Sequence, residues 1–181
     1  MTTLAIAARS PRTRALTIVV AAGALALSAQ FALPIPGTPV PLTLQPLLVV
    51  VAGLLLGPAD AAAAMVLYLI AGAVGLPVFA PMGLPGLARL LGPTGGYLLA
   101  YPVAAAVAGR LGAGRPGFSV RALAAMTGIL VIYLGGLAQL TIISGSLSTA
   151  ALLGVLPFVA ADAVKALVAA AVSAPRRRPT V

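Results

Sequence analysis

The chain has 181 residues, of which 61% are hydrophobic and only 7% charged; a soluble globular domain carries about a quarter of its residues as charged ones. Cysteine and histidine are both missing, which excludes disulfides, thiolate nucleophiles, histidine-based zinc sites and the commonest general base in one step. The net charge of +9 sits on arginines clustered at the ends of apolar segments, the placement expected of membrane topology and not of a nucleic-acid-binding surface.

Several apolar stretches approach the roughly 20 residues a helix needs to cross about 30 Å of hydrocarbon, and the alternating pattern of a barrel strand is absent. The expected fold is an all-α integral membrane bundle of six transmembrane helices. It forms one domain: a basic tail over 1–13, a bundle over 14–174 and a second basic tail over 175–181.

The first predicted span is "RALTIVVAAGALALSAQFAL", 14–33, followed by the proline-rich loop "PIPGTPVPLT". Its apolar run is longer than a signal-peptide core, so it is read as a span and not as a cleaved leader. The second runs from Leu44 to Leu56 and stops at Gly57 and Pro58; it is short for a span. The third begins after Asp60, which stands where an N-cap would accept bonds from free N–H groups.

Residues 76–93 hold four prolines and three glycines, so an ordered loop or re-entrant turn is expected there. The fourth span is 94–112. The fifth covers about 121–143, with Thr127, Tyr133, Gln139 and Thr141 as its polar members. The sixth starts near Leu147, is interrupted by Pro157 and continues through Val172.

Six spans place both termini on one side. Arg9, Arg12, Arg14, Arg110, Arg115, Arg121, Arg176, Arg177 and Arg178 then all lie in the cytoplasm, as the positive-inside rule requires. Arg89 alone is left outside.

Two ionisable residues stand within an apolar run. Asp162 is one of only two acidic residues, and Lys165 is the single lysine. Three positions apart on a helix, they share a face and can neutralise each other; intramembrane charges mark ligand or ion pathways by default. The pair offers an acceptor beside a donor, which suits a urea, an amide or a carboxylate. Arg89 has two readings: a bidentate grip on a carboxylate, or an arginine reaching to lipid headgroups. Ala22 and Ala26 form a small-xxx-small face on the first helix, compatible with internal packing or with docking to a second membrane protein.

Four stretches together carry a resemblance: "PVPLTLQPL" (39–47), "LYLIAGAVGLPVFA" (67–80), "LLGPTGGYLLAY" (90–101) and "GVLPFVAADAVKA" (154–166). In order and spacing they resemble the biotin transporter BioY family, the biotin-specific S components of energy-coupling factor transporters. The resemblance implies a multi-pass protein of the bacterial plasma membrane that captures biotin from outside beneath the loop joining helices 1 and 2. It implies as partners a transmembrane coupling protein and a pair of cytoplasmic ATPases, which use the ATP. This chain would bind no cofactor or metal and catalyse nothing. By match to the family's Asp-x-x-Lys motif, Asp162 and Lys165 would be polar biotin contacts. "GPTGGY", ending in Tyr97, would shape the pocket wall, and Thr43 and Gln45 would belong to the lid region. Family members often carry Gly-Asp where this chain has Ala161-Asp162, a departure that touches backbone shape more than ligand chemistry.

The residues agree with a non-catalytic role. Lys165 is flanked by Val164 and Ala166, so no Gly-Lys-Ser/Thr phosphate cradle exists around it. The competing readings are an S component for another vitamin and an ion-coupled carrier relaying protons through Asp162 and Lys165. A lone paired carboxylate without histidine is a poor relay chain.

Overall fold

The structure is a computed structural model that describes residues 10–174. Arg9, Arg176, Arg177 and Arg178, and with them most of the two basic tails, lie outside the described residues.

The first helix, α1 (Pro11–Ala29), starts three residues earlier than the hydropathy suggests. Ser10 caps it by accepting from the Thr13 N–H at 3.2 Å, and Pro11 occupies a first-turn position where no N–H is needed. Arg12 therefore belongs to the helix and not to the tail. At its other end the chain leaves the helix and forms a short antiparallel pair, β1 (Ala32–Leu33) with β2 (Leu42–Thr43), in which Ala32 faces Thr43. The proline-rich loop is thus a small hairpin.

Helix α2 (Gln45–Leu56) is only 12 residues long, about 18 Å at 1.5 Å per residue. The hairpin leads directly into its first turn. Gly57, at φ +81°, turns the chain directly into α3 (Pro58–Ala73); a side chain there would be strained. Asp60 is therefore not the N-cap: it sits within the first turn of α3. Its carboxylate accepts from Arg14 Nε at 2.6 Å, tying α3 to α1. The 76–93 segment is an ordered loop containing one short helix, α4 (Leu87–Leu91). It leads into α5 (Gly95–Gly112) and α6 (Phe118–Ser144). The last apolar region is broken as its proline foretells: α7 (Leu147–Gly154), a 3-10 turn (Leu156–Phe158) and α8 (Val159–Val172).

Among the described residues, three stretches are long and apolar enough to cross a membrane: Pro11–Ala29, Phe118–Ser144 and Leu147–Val172. Helix α5 is the centre of the bundle, packed against α2, α3 and α6. Lipid offers helices no hydrophobic drive to associate, so close backbone approach through small residues takes its place. At Gly135 an added Cβ would lie 2.5 Å from the Gly96 carbonyl, and at Gly53 2.5 Å from that of Ala105; only glycine admits these crossings of α5 with α6 and α2.

Ala22 is buried inside this bundle and Ala26 packs half-buried beside it. The small-residue face of α1 serves internal packing, so the reading of Ala22 and Ala26 as a docking face for a partner is corrected. The outward face of α1 presents Leu16, Val20, Gly23 and Leu27.

Candidate ligand-binding site

A cavity lies beneath the hairpin and between α2, α5, α6 and α8. The structure brings all six residues singled out as ligand contacts to its wall: Thr43, Gln45, Arg89, Tyr97, Asp162 and Lys165.

Asp162 and Lys165 lie in the first two turns of α8, where the break at Pro157 sets them just inside the helix start. Lys165 Nζ donates to Asp162 Oδ1 at 2.6 Å, and both side chains are buried. The other oxygen, Oδ2, accepts from the Tyr133 hydroxyl of α6, also at 2.6 Å. The carboxylate thus has one donor on each oxygen. A carboxylate has about four acceptor sites and an ammonium three donors, so both groups keep capacity for a ligand.

Arg89 stands on α4, 7% exposed. One of its terminal nitrogens, Nη2, donates to the Ala80 carbonyl at 2.5 Å, whereas the buried Nε has no partner. Burial lowers its pKa from the ordinary guanidinium value, and nearby Tyr68 acts in the opposite sense. A buried cation without a carboxylate is costly, and one added anion would relieve that cost. The reading of Arg89 as reaching out to headgroups does not match this burial. Arg89 also lines a second cavity, between the hairpin and the 82–94 segment, so it stands where the two spaces meet.

Gln45 opens α2, and its Nε2 donates to the Tyr68 hydroxyl at 2.7 Å. Its backbone N–H donates to Thr43 Oγ1 at 3.3 Å, so the second hairpin strand and the helix start are fixed to each other. Tyr68 is itself held edge-on against Phe79, ring centroids 5.4 Å apart. Tyr97 contributes its ring; its hydroxyl donates to the Gly154 carbonyl at 2.7 Å, at the end of α7. The hairpin is tied to the same place, because Thr38 Oγ1 donates to the Leu153 carbonyl at 2.6 Å.

Sequence reasoning missed Tyr101, Tyr133, Phe79 and Phe158, all of which line the cavity. A signal was available. The chain has four tyrosines and no tryptophan; three tyrosines line the cavity and the fourth, Tyr68, supports Gln45 from behind.

The BioY family model matches residues 2–180. A protein of Pyrococcus horikoshii named "Probable biotin transporter BioY" is 49% identical over 72% of this chain and 76% of its own length. "Biotin transporter BioY" of Rhizobium etli is 36% identical over 89% of this chain and 90% of its own. The fold resembles a crystal structure described as the S-component for biotin from an ECF-type ABC transporter, with a TM-score of 0.79 at 24% identity over 88% of both chains. With nearly its whole length matched, this chain belongs to the BioY family.

Proposed function

We propose that this chain is the biotin-binding S component of an energy-coupling factor importer in the bacterial plasma membrane. The observation that carries the reading is the complementarity of one cavity to one ligand. Biotin has a cyclic urea, with N–H donors beside a carbonyl acceptor, and a carboxylate on an aliphatic tail. The cavity offers Asp162 as acceptor beside Lys165 as donor, an unpaired buried guanidinium at Arg89, and apolar and aromatic walls between them. The relatives named biotin transporters support the same ligand.

In this reading six segments cross the membrane: α1, α2, α3, α5, α6, and the α7–α8 pair counted as one. Both termini face the cytoplasm, and the short α2 leaves the outer part of its path to the hairpin, which becomes the lid. A transmembrane coupling protein and two ATPases supply the energy, since binding alone cannot move biotin uphill. Reporter fusions after Arg115 and at the C-terminus should both report cytoplasm.

The deciding experiment is equilibrium binding of radiolabelled biotin to the purified protein without ATP. One biotin per chain is expected. Absence of biotin binding with tight binding of another vitamin would keep the S-component role and discard the ligand. An ion-coupled carrier is disfavoured by the position of the only other acid: Asp60 pairs with Arg14 at the start of α3, away from the cavity lining.

A further inference from the structure

We infer that Tyr133 is a positioning residue of the ligand site: it fixes the plane of the Asp162 carboxylate so that the remaining lone pairs point at the ligand. This rests on the biotin reading above for the identity of the ligand, but the geometry stands by itself.

The terminal torsion of an aspartate is broad, with no sharp rotamer wells. Lys165 cannot fix it alone. Its Nζ meets only Oδ1, at 2.6 Å, from a flexible stem on the same helix as Asp162. A carboxylate held at one oxygen can still turn about that contact. The bond from Tyr133 to Oδ2 comes from a different helix, at 2.6 Å, and a second anchor at the second oxygen defines the plane.

The anchor is itself rigid. The Tyr133 ring packs against both hydrophobic clusters of the bundle, one centred on α3 and α5, the other on α2, α6 and α8. An aromatic ring has two torsions, and contact with both clusters restricts where its hydroxyl can sit. The bond has a defined direction, because an ionised carboxylate only accepts. It is charge-assisted, and so stronger than a bond between neutral groups. Two other tyrosines are engaged elsewhere: Tyr97 donates to Gly154 and Tyr68 accepts from Gln45.

The test is Tyr133→Phe in the full chain, which keeps the ring and removes the hydroxyl. Biotin affinity should fall roughly tenfold to a hundredfold, the range for a bond to a charged group, with the thermal melt in detergent little changed. In the Asp162→Asn background the same substitution should change affinity by less than about threefold, because the charged acceptor whose orientation Tyr133 sets has already been replaced. Para-aminophenylalanine at position 133 restores a donor and should recover most of the lost affinity. Infrared spectra of protein carrying isotope-labelled aspartate give a direct readout. Asp60 and Asp162 are the chain's only acidic residues, so the Asp162 band is assigned by its loss in Asp162→Asn. Tyr133→Phe should shift that band.

Parent-like biotin binding in Tyr133→Phe, an equal loss in the Asp162→Asn background, or an unmoved carboxylate band would each overturn the inference. If the parent protein itself fails to bind biotin, the ligand reading falls, and the infrared band still decides whether Tyr133 holds Asp162.

Discussion

Lys165 Nζ and Asp162 Oδ1 lie 2.6 Å apart on one turn of α8, both side chains buried and both on the wall of the cavity. A buried ion pair can be a packing device or a ligand site, and the two roles respond differently to mutation. Asp162→Asn leaves Lys165 as an unpaired buried cation and replaces a charged acceptor with a weaker one. Biotin affinity should drop by at least about a hundredfold, in the range seen when one partner of a buried pair is truncated. Lys165→Met should strand Asp162 with a similar loss. In the double substitution no buried charge is left unpaired, so stability should recover. Binding should not recover with it. A double mutant that binds biotin like the parent would make the pair packing alone.

Thr38 closes the hairpin onto α7 through one short bond to the Leu153 carbonyl. Pro34, Pro36, Pro39 and Pro41 limit the entropy lost when the loop orders. Thr38→Val keeps the shape and deletes the donor. Biotin should dissociate about two- to tenfold faster, the worth of one neutral hydrogen bond, while association changes less. Stopped-flow or filter-binding rates measure both. Added biotin should also protect this loop from proteases, and unchanged cleavage would show a static connection.

Much of this architecture is legible in the hydropathy, because lipid demands helices and their apolar runs are long. Their rotation is not legible. Thr127, Tyr133, Gln139 and Thr141 look alike as polar members of one apolar span. In the fold Thr127 and Thr141 bond back to carbonyls of their own helix, and Gln139 satisfies the Leu90 and Gly92 carbonyls. Only Tyr133 of the four reaches the cavity. Which face of α6 turns inward is decided by α5 and α8, not by α6. The same limit left the reading of Ala22 open, since a small residue suits an internal crossing and an external one equally. Asp162 and Lys165 escaped this ambiguity because a charge in hydrocarbon must have a partner, and the partner was three residues away.

The Arg14–Asp60 bond is a different kind of ion pair. Its distance is also 2.6 Å, but the Arg14 side chain is 54% exposed, so solvent screens it. Arg14→Gln should lower stability by no more than about 1 kcal/mol, the usual ceiling for exposed pairs. Biotin binding should stay unchanged, because neither residue lines the cavity. Denaturation in a fixed detergent with and without added salt checks the first part. A larger loss would mean that the N-terminal ends of α1 and α3 depend on this single contact.

Arg89 gives the sharpest test of how biotin is oriented. Its buried Nε lacks a partner, and Gly83 lies against its other side, where an added Cβ would sit 2.8 Å from Nη1 at a backbone φ of +94°. The guanidinium is therefore held in place while keeping a donor free. If it receives the ligand's carboxylate, Arg89→Gln should weaken biotin roughly tenfold to a hundredfold. The same substitution should hardly change binding of the neutral primary amide of biotin, which offers no charge to lose. Arg89→Lys should fall between, because an ammonium keeps the charge but not the planar fork. Gly83→Ala should mimic a partial loss by pushing the guanidinium from its place, with the backbone strain adding a cost to stability. Isothermal titration with the acid and the amide separates these cases. An equal loss for both ligands in Arg89→Gln would place the carboxylate elsewhere and leave Arg89 as a structural cation that ties α4 to the Ala80 carbonyl.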